Sequence, residues 1–144
     1  MSFSKSSTLA LIGWLLLVLS RWVKALRTVV TWAVVPLLLS VAYIVIIAYA
    51  MPNAEGGFDS LAGVMALFEN PYMVLAGWLH YLAFDLLIGT WIWFDAGRLQ
   101  IPWWATVPAL VLSFMLGPAG FVLHMLVRAR FAKKHHANSP GIFS

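Results

Sequence analysis

Residues Tyr72 to Arg98 read YMVLAGWLHYLAFDLLIGTWIWFDAGR. The stretch is apolar and long enough to cross a bilayer, because about 20 helical residues reach across about 30 Å of hydrocarbon. Yet it carries His80 and Asp85 inside it. An ionisable side chain in hydrocarbon costs at least about 2.5–3.5 kcal/mol on insertion scales, so a chain keeps one only where it is paired, hydrated or used. Two such residues five positions apart mark a candidate site.

The rest of the chain agrees with a membrane setting. Of its 144 residues, 62% are hydrophobic and 10% charged. Soluble domains carry roughly 25% charged residues. The net charge of +4 is spread over the flanks of the apolar runs. It forms no basic face, which argues against nucleic acid as a partner. Eight Trp, nine Phe and four Tyr suit interfacial belts and ring-lined apolar clefts. The absence of Cys excludes disulfides, thiolate nucleophiles and thiolate metal sites.

Four apolar spans follow from the hydropathy pattern: Thr8–Val23, Val29–Met51, Tyr72–Phe94 and Trp104–Val127. Arg21 lies near the end of the first and can snorkel to the interface. Leu9–Leu19 resembles a signal-peptide core but lacks a small-x-small cleavage site, so no cleavage is expected. Pro36 should kink the second span. Pro108 and Gly117-Pro118-Ala119-Gly120 interrupt the fourth. Between spans two and three, Asp59 or Ser60 can cap a short helix bearing Leu61, Val64, Met65, Leu67 and Phe68. It is too short to span, so an interfacial or lid position is expected. The fold class is therefore all-α: an integral membrane bundle of four transmembrane helices, with a short interfacial helix between the second and third. Residues 1–130 are expected to form one domain and 131–144 a polar flexible tail holding His135-His136. Four spans place both termini on one side. The flanking charges divide five against four, Lys5, Arg128, Arg130, Lys133 and Lys134 against Arg21, Lys24, Arg27 and Arg98. That difference gives the positive-inside rule little purchase, and cytoplasmic termini are the working expectation. Four short spans enclose little volume, so a homodimer is a natural expectation.

Each helical residue advances about 100° and 1.5 Å. With His80 at zero, Trp91 lies at about 20°, Tyr81 at about 100° and Asp85 at about 140°, all on one broad face. Tyr81 and Asp85 form an i, i+4 pair that can hydrogen-bond directly. Asp95 shares that face but lies about 22 Å along the axis from His80. With Arg98 it makes an i, i+3 pair, expected to be a positioning ion pair at the helix end. Span four is expected to run antiparallel to span three, which brings His124 into the same half of the membrane as His80. Pro118 cannot donate to the carbonyl of Phe114, and the adjoining glycines open room for a substrate or helix.

Three roles fit His80 and Asp85. They can be a satisfied polar pair that holds the bundle together. They can exchange protons with a substrate, Tyr81 assisting. Or they can bind a metal together with His124, since two histidines and one carboxylate are the open-faced ligand set of non-haem iron. Trp78, Phe84, Trp91 and Trp93 are candidates to line an apolar cleft, with Gly117, Pro118 and Gly120 beside it. A transporter fits poorly, because polar residues are few and no inverted repeat is visible.

The motif Trp78-Leu79-His80-Tyr81-Leu82-Ala83-Phe84-Asp85-Leu86, then Trp91-Ile92 and Asp95, then Gly117-Pro118-x-Gly120 before His124, resembles the abscisic-acid-deficient type of membrane protein. The loop from Gly56-Gly57-Phe58 through Asn70-Pro71 fits as well. That family includes the plant chloroplast protein needed for neoxanthin synthesis. The resemblance implies a four-span architecture and a carotenoid or other polyisoprenoid pigment as partner. It further implies a carotenoid-modifying activity, such as isomerisation or epoxide rearrangement. It carries His80, Asp85, Asp95 and His124 over as acid, base or ligand residues. With no plastid-type transit segment before Thr8, a bacterial relative in the inner membrane is expected. The alternative is a non-catalytic pigment-binding protein or accessory subunit of a pigment–protein complex.

Overall fold

The computed structural model describes residues 3–20 and 34–137, which are helical apart from short connections. The helices are α1 (Phe3–Leu19), α2 (Val34–Ala50), α3 (Leu61–Leu67), α4 (Pro71–Arg98) and α5 (Trp103–Ala137). No strand occurs among the described residues. Among the described residues three stretches are long and apolar enough to cross a membrane: Val35–Asn53, Pro71–Arg98 and Trp103–Ala132. The apolar part of α1, Ser4–Leu17, is shorter. The expected end of span one, the start of span two and Arg21, Lys24 and Arg27 lie outside the described residues. Helix α2 is described from Val34, and Pro36 lies near the start of the described stretch. Helix α5 continues to Ala137, so residues 131–137 are helical.

The chain forms two compact units, residues 1–86 and 87–144. In the first, α1, α2 and the N-terminal part of α4 meet at Gly13. A Cβ there would stand 2.8 Å from Leu86 Cδ2 and 2.9 Å from Val35 Cγ1. Only a glycine lets the helices approach this closely, the usual device where lipid supplies no hydrophobic drive. Leu17, Leu39, Leu79 and Leu86 are fully buried. Trp78 Nε1 donates to Ser7 Oγ at 3.1 Å, tying α4 to α1.

The short helix α3 is present where the sequence predicts it. Ser60 is its cap and accepts from Gly63 N at 3.0 Å. Leu67 is buried with Ala50 and Met73, while Leu61 and Met65 stay exposed.

In the second unit α4 ends in a Schellman-type turn. Ile101 N donates to Ala96 O at 2.9 Å, and Gln100 stands at φ 54°. Pro102 follows and starts α5. The helix does not continue as one rod. Leu116 (φ −146°, ψ 64°) leaves the helical region, and the chain reverses there. A Cβ on Gly120 would collide with the backbone N and Cα of Ser113. In a straight helix residues seven apart are separated by about 10 Å. Beyond the reversal, Val127 and Phe131 pack on Ala96, Ile101 and Ala105 at the start of the hairpin. Residues 103–115 and 117–137 are therefore two antiparallel legs. Pro118 stands at the first turn of the second leg, where its ring favours helix initiation. The sequence reading of Gly117-Pro118 as an interruption in one crossing is corrected to a full turn back. The room expected beside Gly120 is filled by the backbone of Ser113.

The first leg is about 20 Å long and falls short of the hydrocarbon thickness, whereas the second is about 30 Å. The C-terminal end of α5 thus returns to the side on which α4 ends. The chain has no native cysteine, so Gln100→Cys and Ala137→Cys can be made singly. Both are expected to react with a membrane-impermeant thiol reagent from the same side. Labelling from opposite sides would restore a single straight fourth crossing.

Candidate functional site

Two polar centres form, one in each unit. In the first, α4 presents His80 and Tyr81 about 100° apart around its axis, so they face different clefts. The Tyr81 hydroxyl donates to the Asp85 carboxyl one turn on. Asp85 is 7% exposed, and its Oδ2 is buried with no hydrogen-bond partner. A buried polar atom left unmet is uncommon in folded proteins and calls for an explanation. Trp78 stacks on Tyr81, with ring centroids 5.4 Å apart.

His80 is exposed rather than buried. Its ring stacks on Phe84 at 4.5 Å and faces Tyr43 at 5.6 Å. It borders a half-open cleft of about 220 Å³ with Tyr43, Ile47, Phe58 and Met73. Tyr81 and Trp78 border a second cleft of about 360 Å³ with Val74. Phe68 and Gly77 line both. The Phe68 ring lies on Gly77, where a Cβ would meet it at 3.0 Å. Apart from His80 and Tyr81 the lining is apolar or aromatic.

In the second unit Asp95 Oδ2 accepts from Arg128 Nε at 2.8 Å and pairs with His124 Nε2 at 3.0 Å. His124 is fully buried. Trp91, expected on a substrate cleft, stands edge-on to His124 at 5.3 Å and also packs on Phe121 at 5.5 Å. The expected Asp95–Arg98 ion pair does not form. The reversal at Leu116 brings the second leg beside α4, so the carboxylate is taken by residues thirty positions away. His124 and Arg128 are four apart and share a helix face, so a carboxylate that meets one meets both. That spacing was the available signal for Arg128, which the sequence reading missed.

Among the described residues no three of His, Cys, Asp and Glu are grouped to hold a metal ion. Of the expected ligand set, His80 and Asp85 belong to the first unit and His124 to the second. His124 is held by Asp95 instead, a consequence of the same reversal.

Removing one partner of a buried ion pair costs about 3–5 kcal/mol. Asp95→Ala is expected to lower the thermal midpoint of the detergent-purified protein strongly, and Arg98→Ala to change stability by less than about 0.5 kcal/mol. Equal losses in the two variants would contradict the observed pairing.

No curated protein and no solved structure shows a significant match to the chain. The family described as ABA DEFICIENT 4-like matches residues 1–124, which covers α1 to α4, the reversal and His124. The chain belongs to the ABA DEFICIENT 4-like family.

Proposed function

We propose that this protein is an integral-membrane enzyme that isomerises or otherwise rearranges a membrane-dissolved carotenoid. The family is associated with carotenoid and neoxanthin biosynthesis. The observation that carries the proposal is the unpartnered Oδ2 of Asp85, hydrogen-bonded through its carboxyl to Tyr81 at the edge of an apolar cleft. A structural carboxyl would have both oxygens met, as a buried polar group ordinarily does.

The chemistry requires an acid and a base and no further reactant. In an epoxide rearrangement a proton leaves carbon, the carbon–oxygen bond breaks, and the oxygen gains a proton. In the proposed scheme His80 in its neutral form takes the carbon-bound proton. The Tyr81–Asp85 pair delivers the other to the oxygen. Trp78, Phe84 and Phe68 position the polyene by ring contact. Helices α1, α2 and α4 are proposed to cross the bilayer.

A second reading rests on the apolar lining of the clefts: a protein that holds pigment without altering it, alone or as an accessory subunit. Pigment analysis of a carotenoid-producing host separates the two. Expression of the wild-type protein is expected to yield a new carotenoid. His80→Ala and Asp85→Asn should abolish it while the protein still inserts, and Tyr81→Phe should slow it by about 10²-fold or more. An unchanged pigment profile, with unaltered carotenoid co-purifying, would establish the binding reading instead.

A further inference from the structure

The charges at the two ends of α4 have no part in the proposed reaction, and the packing sorts them by side. Trp78 Nε1 meets Ser7 Oγ, and Gly13 lies against Leu86, so α1 runs parallel to α4. Exposed Lys5 therefore stands on the side where α4 begins. Val35 also lies against Gly13, whereas Ala50 packs with Met73. Helix α2 is thus antiparallel to α4 and ends on that same side. Glu55, Asp59 and Glu69, all exposed, follow between α2 and α4. No Lys or Arg occurs between Arg27 and Arg98. The side on which α4 begins carries three of the chain's five acids and, among the described residues, one base.

The other end has the opposite character. Helix α4 runs about 42 Å to its last residue, Arg98. The second leg of α5 returns there, because Val127 and Phe131 pack on Ala96 and Ile101. Arg128 and Arg130 flank that apolar base, and Lys133 and Lys134 follow on the same helix. Arg98 and Arg130 are exposed and, among the described residues, in no ion pair. Arg128 stays 40% exposed while it holds Asp95. The sequence reading counted five bases against four because it set Lys5 beside the C-terminal ones. The parallel course of α1 and α4 moves Lys5 to the opposite side. Arg21, Lys24 and Arg27 lie outside the described residues, and without them the division is five against one. An excess of Lys and Arg beside membrane spans marks the cytoplasmic side. Its anionic leaflet attracts juxtamembrane bases and repels exposed carboxylates.

We propose that the basic end built on Arg98, Arg128 and Arg130 is a docking surface for anionic lipid headgroups of the cytoplasmic leaflet. The contact holds the chain with α3 and its three acids on the far side. The two clefts, bordered by Met73 to Tyr81 of α4, then lie within about 15 Å of the far interface. This surface is independent of the reaction proposed above.

Two measurements test it. Asn53→Cys and Gln100→Cys each give the chain a single thiol. In spheroplasts of a bacterial host, a membrane-impermeant maleimide is expected to label Asn53→Cys, and to label Gln100→Cys only after lysis. Any other pattern would overturn the orientation. The headgroup contact is read on the detergent-purified full-length protein with added phosphatidylglycerol or phosphatidylcholine. Phosphatidylglycerol is expected to raise the thermal midpoint by about 3 °C more than phosphatidylcholine. That difference should shrink in about 0.5 M salt, and in the double variant Arg98→Gln/Arg130→Gln. Equal shifts with the two lipids, or an undiminished difference in the double variant, would overturn the docking surface.

Discussion

A carboxylate inside an apolar chain must find partners, and the pairing of Asp95 sets the layout of the C-terminal unit. Its Oδ2 receives His124 and Arg128, both from the second leg of α5. For that leg to lie beside α4, the chain must double back after only about 13 residues of the first leg. The reversal at Leu116 does this, and it is possible because Gly120 presents no Cβ to the backbone of Ser113. Ala96, Ile101, Ala105, Val127 and Phe131 then close an apolar base where the hairpin opens. The ion pair cannot be exchanged for Arg98 without abandoning this arrangement.

Asp85 and Asp95 lie ten residues apart on one helix, yet they are supplied differently. Asp95 has a charged guanidinium and an imidazole on a single oxygen. Asp85 has a tyrosine hydroxyl and one buried oxygen with no partner. The first arrangement fastens helices, and breaking it is expensive. The second holds a carboxyl at the edge of an apolar cleft with capacity to spare. Under the proposed function the two acids divide the labour: Asp95 organises the fold and Asp85 serves the chemistry.

What was legible in the sequence was local. Hydropathy locates the long helices, Asp59 or Ser60 marks the start of α3, and the i, i+4 rule joins Tyr81 to Asp85. What escaped was decided at long range. Spacing along the helix matches Asp95 to Arg98, whereas its partners come from a leg placed by the reversal. From the sequence, Gly117-Pro118 fits a disturbance within one span equally well, because proline both kinks and initiates helices. Only the close approach of Gly120 to Ser113 tells these apart. The exposure of His80 was also hidden. Helix α4 is apolar nearly all round, so no polar stripe reveals which face turns inward.

The angular separation of His80 and Tyr81 bears on what the first unit can accept. Adjacent helical residues point about 100° apart, so one small ligand in one cleft does not touch both. The two clefts, however, share Phe68 and Gly77 as a common wall. Phe68 sits at the C-terminal end of α3, about half exposed, and rests on a residue with no side chain. A ligand that contacts His80 on one side and Tyr81 on the other must be long and apolar and pass over the Phe68 ring that covers Gly77. A membrane-dissolved polyene has that shape, and a compact polar metabolite does not. The glycine keeps the track level, the phenylalanine divides it, and the two polar groups reach it from either side.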